Sequence, residues 1–270
     1  MNSCPVCGAR RTLAFSAKVL AKHEVDYWRC GKCGLLQTVE PWWLEESYAD
    51  AITASDTGLL SRNLAMAAPL AALLYLRFDP RAAFCDLAGG FGLLTRLMRD
   101  QGFDYFWEDP YCRNLMAVGF EADRCHRPFE ALTAFEVIEH VHNPLGFIDD
   151  AMRRHRCRNL IFSTVLYEGA VAPSVDWWYY SFHSGQHITF YQRETLASIG
   201  RRLGLQFASV HGIHILSERR IDIPLPLRLA TGRLSRVCAW WAARELGSRT
   251  QADSAALADR AGGAGPGSGA

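Results

Sequence analysis

The stretch Phe84-Cys85-Asp86-Leu87-Ala88-Gly89-Gly90-Phe91-Gly92 restricts this chain more than any other. An apolar run ends in an acid and a turn of small residues, and a helical pattern opens at Leu93. Seventeen residues after Gly92, a second apolar run ends in Trp107-Glu108-Asp109-Pro110. Strand, glycine turn, helix, strand and acid, in that order, build the edge of a parallel sheet that holds an adenosine-bearing cofactor. Small residues let the backbone approach a ligand, and the first turn of the helix presents N–H groups to it.

The flanking sequence repeats the alternation expected of βαβ units. Strands are predicted at Ala82–Leu87, Tyr105–Trp107, Ala131–Phe135, Leu160–Thr164, Phe207–Val210 and His214–Leu216. Helices are predicted at Leu93–Gln101, Pro144–His155 and Arg193–Leu203, the last closed by Gly204. The chain divides into residues 1–40, a cysteine module; 41–80, a helical connector; 81–220, the cofactor domain; 221–250, an amphipathic helix; and 251–270, a tail. The Gly/Ala/Ser/Pro composition of Ala261–Ala270 reads as disorder.

Cys4-Pro5-Val6-Cys7-Gly8 and Cys30-Gly31-Lys32-Cys33-Gly34 are two Cys-x-x-Cys pairs separated by 22 residues. Glycine after each pair suits the positive φ of a knuckle that turns two thiolates toward one ion. Four thiolates close a tetrahedral zinc site, which is then structural. Cys85, Cys112, Cys125, Cys157 and Cys238 stand alone and read as ordinary core or surface thiols. Nine cysteines with no export signal at the start point to a reducing compartment, so a cytoplasmic location is expected.

Asp86-x-Ala88-x-Gly90-x-Gly92 resembles motif I of class I S-adenosylmethionine-dependent methyltransferases, with Ala88 where that family has its first glycine and Gly89 added beside it. Asp109 resembles the acid that binds both ribose hydroxyls, a task suited to a carboxylate facing a vicinal diol. Phe135-Glu136-Val137-Ile138-Glu139-His140-Val141 resembles the segment after the fourth strand. The resemblance covers about residues 82–217. It implies an α/β fold with a doubly wound, mostly parallel Rossmann-like sheet beside the small zinc module. It also implies a cofactor site at Asp86, Ala88, Gly89, Gly90, Gly92, Asp109 and Glu136. Together with the cysteine knuckles, it is similar to bacterial methyltransferases of the sugar and surface-polysaccharide type.

S-adenosylmethionine carries its own electrophile, so the protein must place an acceptor and remove its proton. The base is expected among Glu139, His140, His183, His187 and Tyr191, in loops after strand ends. Trp177-Trp178-Tyr179-Tyr180-Ser181-Phe182 precedes these histidines and reads as a lid over the acceptor, or else as core filling. Glu136, Glu139, His140 and His187 are also a donor set for a divalent ion that grips vicinal hydroxyls. Capping or lining roles are the simpler account of the acid and histidine at 139 and 140.

Charge narrows the acceptor. With 29 Lys and Arg against 28 Asp and Glu, the formal net charge is +1 and no basic stripe stands out. An RNA substrate, the alternative within the enzyme class, relies on phosphate neutralisation and is not favoured. The expected partner is a small hydroxylated molecule such as a sugar, a nucleotide-linked sugar or another glycan precursor. A non-catalytic zinc-ribbon protein on a degenerate methyltransferase fold is the other class, with Ala88 its one support. Leu64–Leu76, the longest helix-like apolar run, is short of the roughly 20 residues a bilayer needs, so no transmembrane segment is expected. Leu225–Leu246 carries Trp240 and Trp241 among arginines and allows packing, self-association or contact with a membrane surface.

Overall fold

The computed structural model describes residues 3–48 and 57–263. In chain order the elements are β1 (Arg11–Val19), β2 (His23–Cys30), β3 (Leu36–Thr38), α1 (Leu44–Ser47), α2 (Leu59–Arg77), β4 (Ala83–Leu87), α3 (Leu93–Asp100), β5 (Asp104–Glu108) and β6 (Phe129–Ala134). There follow α4 (Pro144–His155), β7 (Asn159–Ser163), β8 (Thr189–Phe190), α5 (Arg193–Leu203), β9 (Gln206–Val210), β10 (Ile213–Ser217), α6 (Leu225–Thr231), α7 (Ser235–Leu246) and α8 (Thr250–Gly263). They group into two compact units, both discontinuous: residues 1–57 with 131–224, and residues 58–130 with 225–270.

In the first unit, β1, β2, β3 and β8 form an antiparallel sheet in that order. The cysteine module supplies three of these strands. The fourth is distant in sequence: Leu36 pairs with Phe190 and Gln37 with Thr189. One face of the sheet buries an aromatic cluster containing Tyr27, Trp43, Tyr179, Tyr180 and Phe190, with Phe15 stacked on Tyr27 at 4.6 Å. Elsewhere in this unit β6 runs parallel to β7, while β10 runs antiparallel to both β7 and β9. Asn-Leu-Ile-Phe-Ser of β7 is buried throughout, as a strand covered on both faces must be. The Asn143 side chain caps α4 by accepting from Gly146 N, with Pro144 beginning the helix. Gln192 and Thr195 close a reciprocal cap on α5, which Gly204 ends in the left-handed conformation.

In the second unit, β4 and β5 are parallel, from Ala83 opposite Asp104 to Leu87 opposite Glu108. All five residues of β4 are buried. The helix α2 buries Leu70–Leu74 and packs on α3, α6 and α7. Arg99, on α3, is buried and makes a two-pronged pair with Asp253 of α8, Nε to Oδ2 at 2.8 Å and Nη2 to Oδ1 at 2.7 Å. Its Nη1 donates to Tyr105 O at 2.8 Å and to Asp104 Oδ1 at 3.1 Å, while the guanidinium lies 3.6 Å from the Phe120 ring centre.

The fold class is α/β with a mostly parallel, Rossmann-like sheet in which β10 is the reversed strand. Two expectations need correction, the tail and the connector. The tail expected from residue 251 is helical through Gly263, held by the Arg99–Asp253 pair; residues 264–270 lie outside the described residues. The amphipathic helix is interrupted at Gly232, as its sequence leads one to expect, into α6 and α7. The apolar run in the connector begins earlier than read, so α2 is by length and composition long enough to cross a membrane. Part of the connector, residues 49–56, lies outside the described residues.

Candidate active site

The glycine turn of the second unit is braced from its own neighbours. Asp86 is buried at the end of β4. Ala88 adopts φ +51°, the left-handed conformation that explains the family's preference for glycine there. A Cβ on Gly89 would stand 2.8 Å from Trp107 Cδ1 and 2.9 Å from Asp86 Oδ2. Gly92 combines φ +84° with a Cβ position 2.8 Å from Asn114 Oδ1, and α3 starts directly after it. Trp107 Nε1 donates to Gly90 O at 2.9 Å, so the second strand locks the turn that follows the first.

Asp109 is bonded to the backbone of the turn and of its own loop. Its Oδ2 accepts from Gly90 N at 2.9 Å, and its Oδ1 accepts from Tyr111 N at 2.7 Å and Cys112 N at 2.9 Å. A carboxylate offers about four acceptor positions. With three taken by backbone, Asp109 shapes the turn.

In the first unit, the carboxylate of Glu139 and the rings of His140 and His187 converge, with one donor atom from each within 4.8 Å of the others. The chain leaves β6 through Glu136 at φ +55° and enters a 3-10 turn, Ile138–His140. That turn buries Glu139 completely, and neither carboxylate oxygen has a hydrogen-bond partner of good geometry, although the Tyr179 and Thr164 hydroxyls lie near enough to favour its charged form. Burial, with the Glu136 charge adding to it, pushes the Glu139 carboxyl up to about 8. Burial and the neighbouring His187 push His140 down to about 3, so His140 is neutral. His187 Nδ1 lies 2.6 Å from Tyr179 O and must donate to it, which puts the lone pair of the neutral ring on Nε2. The two rings meet edge to face at 4.8 Å.

The cysteine module holds this cluster in place. Thr38 N donates to Ile188 O at 3.0 Å and Ile188 N to Glu139 O at 2.9 Å, a bridge from β3 through the His187 segment to the 3-10 turn. Gln37 Nε2 donates to His142 O at 2.6 Å, and Trp43 Nε1 to Gly185 O at 2.8 Å. Tyr48, not anticipated from sequence, places its hydroxyl 2.9 Å from His140 Nδ1. Ninety-two residues separate that pair, and no local pattern marks it.

Other expected groups fall elsewhere. Glu136 does not join the cluster: its Oε1 accepts from Ser163 Oγ at 2.6 Å. Tyr191 is fully buried and donates to Ile138 O at 2.7 Å, and burial raises its phenol well above the usual range. It braces the 3-10 turn and is not a base. His183 is exposed and outside the cluster. The aromatic stretch is core rather than lid: Tyr179 and Tyr180 are buried, and Trp177 and Phe182 pack against the same cluster. Trp178 alone among these rings projects outward.

Cys4, Cys7, Cys30 and Cys33 bring their four Sγ atoms within 4.8 Å of one another, with Cys4–Cys33 at 3.6 Å and Cys7–Cys30 at 3.4 Å. Tetrahedral zinc with Zn–S of about 2.3 Å sets its sulfurs about 3.8 Å apart. The thiol set fits that ion. Gly8 and Gly34 take φ +73° and +74°, and each donates its N–H to the carbonyl of the first cysteine of its knuckle.

Residues 60–210 match the family profile described as a methyltransferase domain, more than half of the chain, and the chain belongs to that family. It is an S-adenosylmethionine-dependent methyltransferase. Solved structures similar to it include magnesium protoporphyrin IX methyltransferase (ChlM) from Synechocystis PCC 6803 with bound SAH, at 13% identity and TM-score 0.40, covering 64% of this chain and 90% of that one. The plantazolicin methyltransferase BpumL in complex with SAH is similar at 8% identity and TM-score 0.44, covering 71% and 86%. An O-methyltransferase family 2 protein from Planctomyces limnophilus DSM 3776 in complex with apigenin is similar at 14% identity and TM-score 0.41, covering 65% of each chain. No curated protein matches the chain in sequence.

Proposed function

We propose that this methyltransferase acts on a hydroxyl of a small polyhydroxylated acceptor, a sugar, nucleotide-linked sugar or other glycan precursor, with His187 as the base. The observation that carries this reading is the Glu139 carboxylate, fully buried without a partner of good geometry beside His140 and His187. A buried polar group left unpaired costs roughly 1–3 kcal/mol, and a bound ligand that pairs it recovers that cost. Adjacent hydroxyls are a chemical match, since one can pair with the Glu139 carboxyl while the other points its proton at the His187 Nε2 lone pair.

In this reading the turn at Asp86, Ala88, Gly89, Gly90 and Gly92 would hold the cofactor, which when bound would supply an electrophilic methyl group and keep the bonding electron pair on sulfur as the acceptor oxygen takes the methyl. His187 takes the hydroxyl proton at Nε2, the position its bond to Tyr179 O prepares. Tyr48 and the 3-10 turn fix His140.

A second reading of the same cluster is a divalent ion on Glu139, His140 and His187, an oxygen and two nitrogens that suit such an ion. Bound there, it would lower the pKa of a coordinated hydroxyl. We read Cys4, Cys7, Cys30 and Cys33 as the holders of a structural zinc, a reading their spacing and sulfur separations support.

The test is transfer of labelled methyl from S-adenosylmethionine to a panel of nucleotide sugars and, in parallel, to total RNA, with cofactor affinity followed by calorimetry. Label in a sugar is the expected result. Label confined to RNA would overturn the acceptor, and no cofactor binding at millimolar ligand would overturn the enzyme. Chelation with zinc content monitored separates the two readings: activity lost while four-thiolate zinc is retained favours the second ion.

A further inference from the structure

The helix pair α6–α7 is built inside out. In α7 the residues turned inward are Ala239 and Ala242, whereas Val237, Trp240 and Trp241 are 63%, 58% and 58% exposed. Leu234, just before it, is 48% exposed. In α6, Leu227 and Ala230 face inward, and Leu225 is 68% exposed with Leu229 beside it on the surface. A helix that only packs on its neighbour places large apolar side chains inward and small or polar ones outward. Here packing uses the alanines, and the large rings and branches are left outside.

The charge on this surface has one sign. Residues 225–246 carry Arg228, Arg233, Arg236 and Arg244 and a single acid, Glu245, which accepts from the Tyr75 hydroxyl. The whole chain is nearly neutral at +1, so positive charge is concentrated here. Arg244 lies 5.8 Å from the centre of the Trp240 ring, and the Trp240 and Trp241 ring centres are 6.2 Å apart.

We propose that the α6–α7 surface docks on an anionic lipid bilayer. Tryptophan rings settle at the headgroup boundary, aliphatic side chains reach below it, and arginines pair with lipid phosphates. With 7 and 12 residues, α6 and α7 lie on the membrane and do not cross it. A second copy of the chain fits less well, because a two-fold interface would set these arginines against each other without acids to pair them. A nucleic acid would meet the arginines but leave Leu225, Leu229, Leu234 and Val237 without an apolar partner.

The experiment uses the full chain with phosphatidylcholine vesicles, with and without phosphatidylglycerol, read by flotation and by tryptophan quenching from brominated lipid. Binding should require phosphatidylglycerol and weaken as salt is raised. Trp240→Ser with Trp241→Ser should abolish quenching at the headgroup depth. Arg233→Glu with Arg236→Glu, whose side chains are on the surface, should cost at least about thirtyfold in affinity for anionic vesicles, from about fivefold per arginine. Circular dichroism and melting establish that each variant is folded. Equal absence of flotation on both vesicle types overturns the proposal. So does salt-sensitive binding that both variant pairs leave unchanged. Concentration-dependent mass, or RNA retention abolished by the same substitutions without vesicle binding, assigns the surface to another partner.

Discussion

Asp253→Ala removes the acceptor that holds α8. In the folded chain Asp253 receives three N–H bonds of 2.7–2.8 Å, two from Arg99 and one from Arg96 Nη2. Truncation leaves Arg99 buried with its Nη1 contacts to Asp104 and Tyr105 but with Nε and Nη2 unpaired. Removing one member of a buried ion pair costs about 3–5 kcal/mol, and the surviving Nη1 bonds place this case near about 3. If α8 undocks locally, amide exchange across residues 250–260 should accelerate by about two orders of magnitude, at 1.4 kcal/mol per tenfold, while β4 and β5 stay protected. The pH dependence has a definite sign. Burial would raise the Asp253 carboxyl, but hydrogen bonds and charge from Arg99, then Arg96, bring it below the usual value. A depressed carboxyl stabilises above its unfolded pKa of about 3.9 and loses that contribution as pH falls through the folded value, so α8 should release below about pH 4. Hydrogen–deuterium exchange of Asp253→Ala is the assay. Exchange within threefold of the parent protein would refute the clamp.

His187→Ala should lower turnover by at least about a hundredfold with unchanged cofactor affinity, by stopped turnover and calorimetry. Cys33→Ser should release metal and speed amide exchange first at β3 and β8, with transfer activity falling while cofactor affinity holds. His214 is buried, bonded to Ser209 Oγ at 2.9 Å and Thr164 O at 3.1 Å, and burial lowers it to about 4. The unfolded chain therefore takes up that proton first, and stability should drop by roughly 3 kcal/mol between about pH 6.5 and 4; His214→Gln should flatten that slope in denaturant titrations.

Features encoded by neighbours in the chain were legible in advance. The bounds of α4 and α5 follow from Asn143-Pro144, His155, Gln192 and Gly204, each acting within one turn. The cofactor turn is equally local, down to the positive φ at Ala88 that marks the missing glycine. What escaped depends on partners far apart in sequence. The pairing of Gln37 with Thr189, the Tyr48–His140 contact and the Arg99–Asp253 clamp have no periodic signature. An Ala- and Asp-rich tail is indistinguishable from a loose one until Arg99 is seen beneath it. Five aromatics in six residues suit a lid as well as a core, and β1 and β2 decided the matter by offering Phe15 and Tyr27 to pack against. The three backbone N–H groups that Asp109 serves were equally hidden, because they come from a turn whose shape sequence does not show.

The interleaving of the two units bears on how the chain is made. Cys33 waits for Thr195, whose hydroxyl meets its carbonyl at 2.6 Å across 162 positions, and Arg99 waits for Asp253 across 154. A nascent chain emerging N-terminus first therefore completes neither unit early. At 5–20 residues per second, β3 stands as an open strand edge for about 8–30 s before β8 is synthesised. Zinc captured by the knuckles in that interval would hold β1–β3 in register while the edge is bare. Among these elements α8 emerges after all the others, so the unit that carries the glycine turn closes only once α8 has been made. Premature termination near residue 250 would leave Arg99 buried without its carboxylate, which predicts that short products are unstable rather than merely incomplete.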